Sequence, residues 1–293
     1  MRVKAKCPAS CGELLQGMMG NGEKLISYSI DIYSEVTIEE KKNPQRDFRR
    51  RKATEAMYKT LAYYGEPVAM GDVFSIEIRS HIPLAKGMAS STADIAATAA
   101  ATAFLLGKKL TGDQLARICA SIEPTDSTIF ENFTLFDHLQ GIRVESFHWH
   151  PDLDVFVLEP EGTVDTQIFR MRDYTKERLE AQPKVEEALR IFRESMAKQN
   201  LSLLGKAATM SALANQKILP KEKLEEIIDI SQKTGCLGVN VAHSGTVVGI
   251  LLEKDRGDRE ALQQMLKTQG VFQHYSKAYF ARMIQGGVNI SEC

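Results

Sequence analysis

Tryptophan, cysteine and excess charge are all scarce in this chain. Trp149 is the only tryptophan, and the 293 residues hold five cysteines: Cys7, Cys11, Cys119, Cys236 and Cys293. An odd, sparse set does not make a disulfide framework, and the Cys7-x-x-x-Cys11 spacing has no second Cys/His pair to complete a zinc site. The opening MRVKAKCPASCGELLQG lacks the apolar stretch of a secretory signal, so reduced thiols in the cytoplasm are the expectation. The 37 Lys and Arg nearly cancel the 38 Asp and Glu. That balance argues against a nucleic-acid or anionic-membrane partner, while leaving room for a local basic pocket. No apolar run reaches the roughly 20 residues that a membrane-spanning helix needs. What is present, 43% hydrophobic and 26% charged residues, is ordinary globular composition, long enough for one large or two medium domains.

Strand and helix signals alternate along the chain. Residues 25–40 alternate apolar and polar side chains around Ile30, Ile32, Val36 and Ile38, as strands do. Helical spacing follows at 47–64, closed by Gly65, and FSIEIRSHI at 74–82 is again strand-like. A small-residue segment, PLAKGMASST, then leads into the strong helix signal of DIAATAAATAFLL. Thr111 with Gln114 fits a capping box for a helix over 112–122. Beyond a turn-rich junction at His150–Asp152, a strand is expected at 154–160 and helices at 175–199, 201–214, 221–234 and 258–268. Strands separated by helices in both halves predict an α+β or α/β protein, divided near residue 150 into 1–150 and 151–293.

Three segments can carry chemistry. Pro83–Asp94, PLAKGMASSTAD, is a flexible loop between a strand and an alanine-rich helix. Gly87 permits positive φ, and Ala89, Ser90 and Ser91 are small enough to let a polyphosphate reach the backbone. The free N–H groups of the helix start would face the anion, and the hydroxyls of Ser90, Ser91 and Thr92 suit phosphate or magnesium. Lys86 offers positive charge. The plainer reading makes Ser90 a helix N-cap and nothing more. The second segment, Cys7–Gly17, reads as a strand running into a small-residue turn that presents Ser10, Glu13 and Gln16. The third, Gly238–Gly249, permits close backbone approach at Ser244, Gly245 and Gly249, with His243 a turn or packing residue.

Pro83, Gly87, Ser90 and Ser91 match in register the central Pro-x-x-x-Gly-Leu-Gly-Ser-Ser-Ala motif of the GHMP kinases, the superfamily of galactokinase, homoserine kinase and mevalonate kinase. Met88, Ala89 and Thr92 depart from it. The variant KGMASSTAD and the string Cys-Gly-Glu-Leu-x-Gln-Gly are similar to the branch that phosphorylates L-threonine for cobalamin synthesis. The resemblance implies a two-domain fold, with a ribosomal-protein-S5-like N-terminal domain and a ferredoxin-like C-terminal domain. It also implies ATP and Mg²⁺ as cofactors, and L-threonine as the small-molecule substrate. Pro83, Leu84, Ala85, Lys86, Gly87, Met88, Ala89, Ser90, Ser91 and Thr92 would bind ATP, and Ser91 with Glu123 would hold the metal. Ser10, Glu13, Gln16 and Asp31 would face the acceptor. Asp126, or else Asp137, would take the hydroxyl proton, and a mechanism with no protein base stays open. Two rivals remain: a kinase of the same fold acting on homoserine or a polyol, and a nucleotide-binding regulator without turnover.

Overall fold

The computed structural model describes residues 1–42, 44, 50–164, 171–254, 256 and 258–292. Its spine is a hairpin of two long strands, β1 (Arg2–Met19) and β2 (Gly22–Glu40). In chain order there follow α1 (Arg51–Tyr63), β3 (Phe74–Ser80), α2 (Ser90–Leu105), α3 (Gly112–Ala120), β4 (Phe133–Asp137), β5 (Ile142–Phe147) and β6 (Leu153–Glu159). The remainder comprises α4 (Thr175–Lys198), α5 (Leu201–Asn215), α6 (Leu224–Lys233), β7 (Gly238–Val241), β8 (Val248–Glu253), α7 (Arg259–Thr268), β9 (Lys277–Ile284) and β10 (Asn289–Glu292). The strands join in one mixed-length sheet of order β10-β1-β7-β8-β6-β9-β2-β4-β5, with β3 pairing β2 beside that path.

Within β6 to β9 the order is β7-β8-β6-β9, every described pairing antiparallel, with helices after β6 and between β8 and β9. That is the strand–helix–strand–strand–helix–strand arrangement of a ferredoxin-like half. Phe156, Ile227, Ile250 and Leu262 fill a core of its own. A larger core runs under α2, which packs on α1, β1 and β2, and under the α4–α5 pair, which packs on β1. Helix ends follow from local chemistry. Thr111 and Gln114 form the expected capping box on α3, and the Asp258 side chain accepts the Ala261 N–H at the start of α7. The expected helix at 47–64 begins at Arg51, and residues 47–49 lie outside the described residues.

Segment Cys7–Gly17 does not end in a turn. It lies inside β1, and the small residues serve bulges instead. The β1–β2 register slips between Pro8 and Ala9, between Ser10 and Glu13, and between Glu13 and Leu15. Pro8 has no N–H to give a ladder, and Gly12 takes φ +66°. A Cβ on Gly12 would lie 2.6 Å from the Ala242 nitrogen, so this strand and the 242 loop touch backbone to backbone. Each slip re-aims side chains, which is how Ser10, Glu13 and Gln16 all come to point inward.

Candidate active site

The loop after β3 delivers the chain to α2 without a side-chain cap. Ala89 stands at the N-cap with φ 59°, and no side chain bonds the first-turn N–H groups. Ser90 is therefore the first helical residue, not the cap. Its Oγ is buried and has no hydrogen-bond partner. The first-turn N–H groups and the positive end of the helix dipole meet a cavity of about 610 Å³. Its lining includes Pro83, Leu84, Ala85, Gly87, Met88, Ala89, Ser90, Ser91 and Thr92, with Thr163, Val164 and Ser244 opposite.

Positive charge comes from an element with no role in the sequence reading. Arg50, Arg51 and Lys52, at the start of α1, line the cavity. Arg50 pairs with Asp94 at 2.6 Å, and Lys52 with Glu123 Oε2 at 2.6 Å. Lys86, expected to supply that charge, is absent from the lining. Its ammonium donates to the carbonyls of Pro160, Glu161 and Gly162 at 2.5, 2.8 and 2.8 Å, which uses all three of its protons. It straps the loop before α2 to segment 160–164. The Val164 N–H donates to the Ala85 carbonyl at 3.3 Å, and the Thr246 and Val247 N–H groups both donate to the Lys86 carbonyl.

Carboxylates line the other side. Glu123 turns Oε2 to Lys52, while its Oε1 is buried without a partner. Asp126 precedes a 3-10 turn but does not cap it. Its Oδ2 accepts from Thr92 Oγ1 at 3.2 Å and its Oδ1 from Ser27 Oγ at 3.5 Å, and its own N–H donates back to Thr92 Oγ1. Asp126 also meets Glu13 of β1. Burial pushes both carboxyls up. Glu13 rises further beside the Asp126 charge, and the hydrogen bond between the two raises Glu13 while opposing the rise of Asp126. Glu13 Oε2 accepts the His243 N–H at 2.6 Å. Lys221, buried near Glu13, is brought down by desolvation to about 7, with the Glu13 charge opposing that fall.

Gln16 donates to the Val241 carbonyl at 2.8 Å, and its Oε1 is buried without a partner, as is Ser10 Oγ. Asp31 stands apart from this group. It sits in the two-residue slip of β2 opposite Pro8–Ala9, is exposed, and accepts the Arg282 N–H at 2.8 Å. Asp137 Oδ1 accepts the N–H groups of Leu139 and Gln140, so it shapes the β4–β5 turn and is not part of the cavity.

Residues 51–131 match the family described as GHMP kinases N terminal domain, and residues 175–271 match GHMP kinases C terminal. An L-threonine kinase from Salmonella typhimurium is 39% identical over 286 residues, covering 98% of this chain and 95% of that protein. One from Citrobacter freundii is 39% identical over 287 residues, covering 98% and 99%. This chain belongs to the GHMP kinases. Solved structures agree on the two-domain fold. A homoserine kinase from Cytophaga hutchinsonii superposes with a TM-score of 0.72 at 16% identity, over 99% of this chain and 97% of that one. A mevalonate diphosphate decarboxylase from Staphylococcus aureus gives 0.75 at 16% identity, over 99% and 98%.

In this GHMP kinase the third segment splits in two. Gly245 packs on the phosphate loop: a Cβ there would lie 2.3 Å from Gly87 Cα and from the Lys86 carbonyl oxygen. Gly249 lies instead in the sheet, against Asn240, Tyr28 and Cys11. Gly87 itself takes φ +80°, and its Cβ would meet Ala242 Cβ at 2.4 Å. Gly87→Val is therefore expected to weaken ATP binding at least tenfold, because a β-branched residue resists positive φ and pushes the loops apart. Calorimetric titration with ATP checks this, and unchanged affinity in a folded variant would remove the loop from the nucleotide site.

His243 has a larger part than a turn residue. Its Nε2 meets Glu23 Oε1 at 3.0 Å, and Arg178 of α4 holds the same oxygen at 3.1 Å. Burial alone would raise the Glu23 carboxyl, but His243, Arg178 and the nearby His138 outweigh it and hold it at about 2. No motif exposed this group in sequence, because Glu23, Arg178 and His243 come from three distant elements.

Proposed function

We propose that this kinase transfers the γ-phosphoryl group of ATP to the hydroxyl of L-threonine, giving O-phospho-L-threonine for the nucleotide loop of cobalamin. The observation that carries the reading is the full-length 39% identity to two L-threonine kinases. The uncapped α2 start, facing a cavity lined by three cations, supports it. The division into 1–150 and 151–293 belongs to the same proposal, as does a cytoplasmic location. The buried free thiols of Cys7, Cys11 and Cys119 suit a reducing compartment.

Phosphoryl transfer needs positioning and charge neutralisation more than covalent chemistry. The α2 N–H groups would receive the phosphates, with Arg50, Arg51 and Lys52 balancing their charge. Magnesium fits the oxygen donors present. The orphaned Glu123 Oε1 and the hydroxyls of Ser90 and Ser91 are hard ligands beside the phosphate loop, and Ser91 with Glu123 would hold the ion. Bound there, it would neutralise charge on the transferred group. Asp126 would accept the hydroxyl proton, with Glu13, Gln16 and Ser10 on the acceptor side. Asp31, exposed and bonded to the Arg282 N–H, lies outside that set.

The deciding experiment is ATP consumption with threonine, serine, homoserine, mevalonate and galactose in parallel. Threonine is expected to win, and preference for another acceptor would move the assignment within the family. Turnover of none would favour the nucleotide-binding regulator. Glu13→Ala is expected to raise KM for threonine about tenfold while leaving KM for ATP within about twofold, the loss of roughly one charge-assisted hydrogen bond. Glu13→Gln keeps the side chain's size and a hydrogen-bonding carbonyl and is expected to cost less. Equal shifts in both constants would place Glu13 outside the acceptor pocket.

A further inference from the structure

A second group of side chains lies beside the acceptor side, outside the roles given so far. Glu23 of β2, His138 of the β4–β5 turn and His243 of the 242–247 loop each offer one ligand atom, all within 4.8 Å of one another. His138 is buried, and its ring packs edge-on to that of His243 at a centroid distance of 5.2 Å. We propose that this trio is a binding site for one divalent transition-metal ion of the zinc class, separate from the proposed magnesium site.

Two imidazoles and one carboxylate are a donor set that zinc takes readily, with a fourth position left for water. Magnesium prefers an all-oxygen shell and keeps its waters, so the same trio discriminates against it. A tetrahedral ion with bonds of about 2.0–2.1 Å asks for ligand atoms roughly 3.4 Å apart, a contraction that side-chain rotation can supply. Among the described residues, Arg178 is the guanidinium paired with Glu23. It contacts Glu23 Oε1, which leaves Oε2 to turn to an ion, and its bond would then orient the carboxylate from outside. His243 reaches the Glu13–Asp126 pair through its N–H. The three ligands come from three separate elements, so an ion would tie the 242–247 loop to β2 and to the β4–β5 turn. That loop holds Glu13, so the tie reaches the acceptor side.

The test is zinc binding by the full-length, metal-stripped protein, read by competition with a chromophoric chelator. One zinc per chain is expected, unchanged by a large excess of Mg²⁺. His138→Ala, His243→Ala and the milder Glu23→Gln should each weaken binding by at least about tenfold. Cobalt supplies a second reading on the unaltered protein: visible d–d bands without thiolate charge transfer are expected. No zinc uptake, affinity unchanged in all three variants, or a thiolate band pointing to a cysteine such as the half-buried Cys236 would each overturn the proposal.

Discussion

Glu123→Gln is expected to lower kcat by about 10²–10³ while leaving the circular dichroism spectrum and melting cooperativity intact. Removing one preorganised contact to the transferring group typically costs that much. In the proposed mechanism the carboxylate would have two jobs that an amide cannot do together. Oε2 carries the Lys52 ammonium, and the buried, unpartnered Oε1 is free for a metal ion. An amide would offer one neutral acceptor and present N–H donors to a cation. The rate loss should come with a raised Mg²⁺ requirement, measured by titrating activity against free Mg²⁺. Lys52→Met separates the two jobs. It removes the ion pair but not the proposed metal ligand, so it should weaken ATP binding more than it raises the Mg²⁺ requirement. Ser91→Ala belongs to the same series, with Ser90→Ala beside it, because the orphaned hydroxyl belongs to Ser90. A Glu123→Gln enzyme working at near wild-type rate in ordinary Mg²⁺ would end the assignment.

For Asp126→Asn, single-turnover phosphorylation of threonine should slow about a hundredfold with ATP and threonine still bound, in the lower range of what a general base contributes. The pH profile carries the sharper signature. Burial raises the Asp126 carboxyl, and Glu13 beside it is raised too. A base works only when deprotonated. The wild-type rate should therefore fall on the acid side as pH drops through a value above the usual carboxylate range, and the Asn variant should lose that limb. Stability runs the opposite way. A carboxyl with a raised folded-state pKa binds more protons folded than unfolded, so its contribution is present at low pH and is lost as pH rises through that raised value. Asp126→Asn should accordingly gain in melting temperature, relative to wild type, between mildly acidic and neutral pH. An enzyme that keeps its rate and its acid limb would return the proton to water or to the phosphoryl group itself.

The local signals were legible because they depend on neighbours in sequence. The α3 capping box and the helices from Thr175 to Asn215 follow from spacing that any window of the chain displays. The positive φ of Gly87 was equally available, since only a residue without Cβ sits easily there. What stayed hidden depends on tertiary register. Reading Cys7–Gly17 as a turn fails because glycine and proline mark strand bulges as well as loops, and only the partner strand decides which. Lys86 looked like a phosphate ligand by position, but three carbonyls from a segment more than 70 residues away hold it. Arg50 to Lys52 read as the start of an amphipathic helix. Nothing local tells that this end of α1 opens into the cavity at the start of α2.

The long strand β1 bears on how the enzyme can move. It pairs with β2 over nearly its whole length, with β10 near its start and with β7 at Glu13, so a single sheet runs through both halves. Kinases that close by swinging two lobes need a joint of a few loop residues between them. Bending at β1 would instead break rows of ladder bonds. Enclosure of substrate would then fall to segments 81–89, 160–164 and 242–247, which are already laced together through Lys86 and Gly87–Gly245. Saturating nucleotide should then leave the solution-scattering radius of gyration almost unchanged, while amide exchange slows in those three connections.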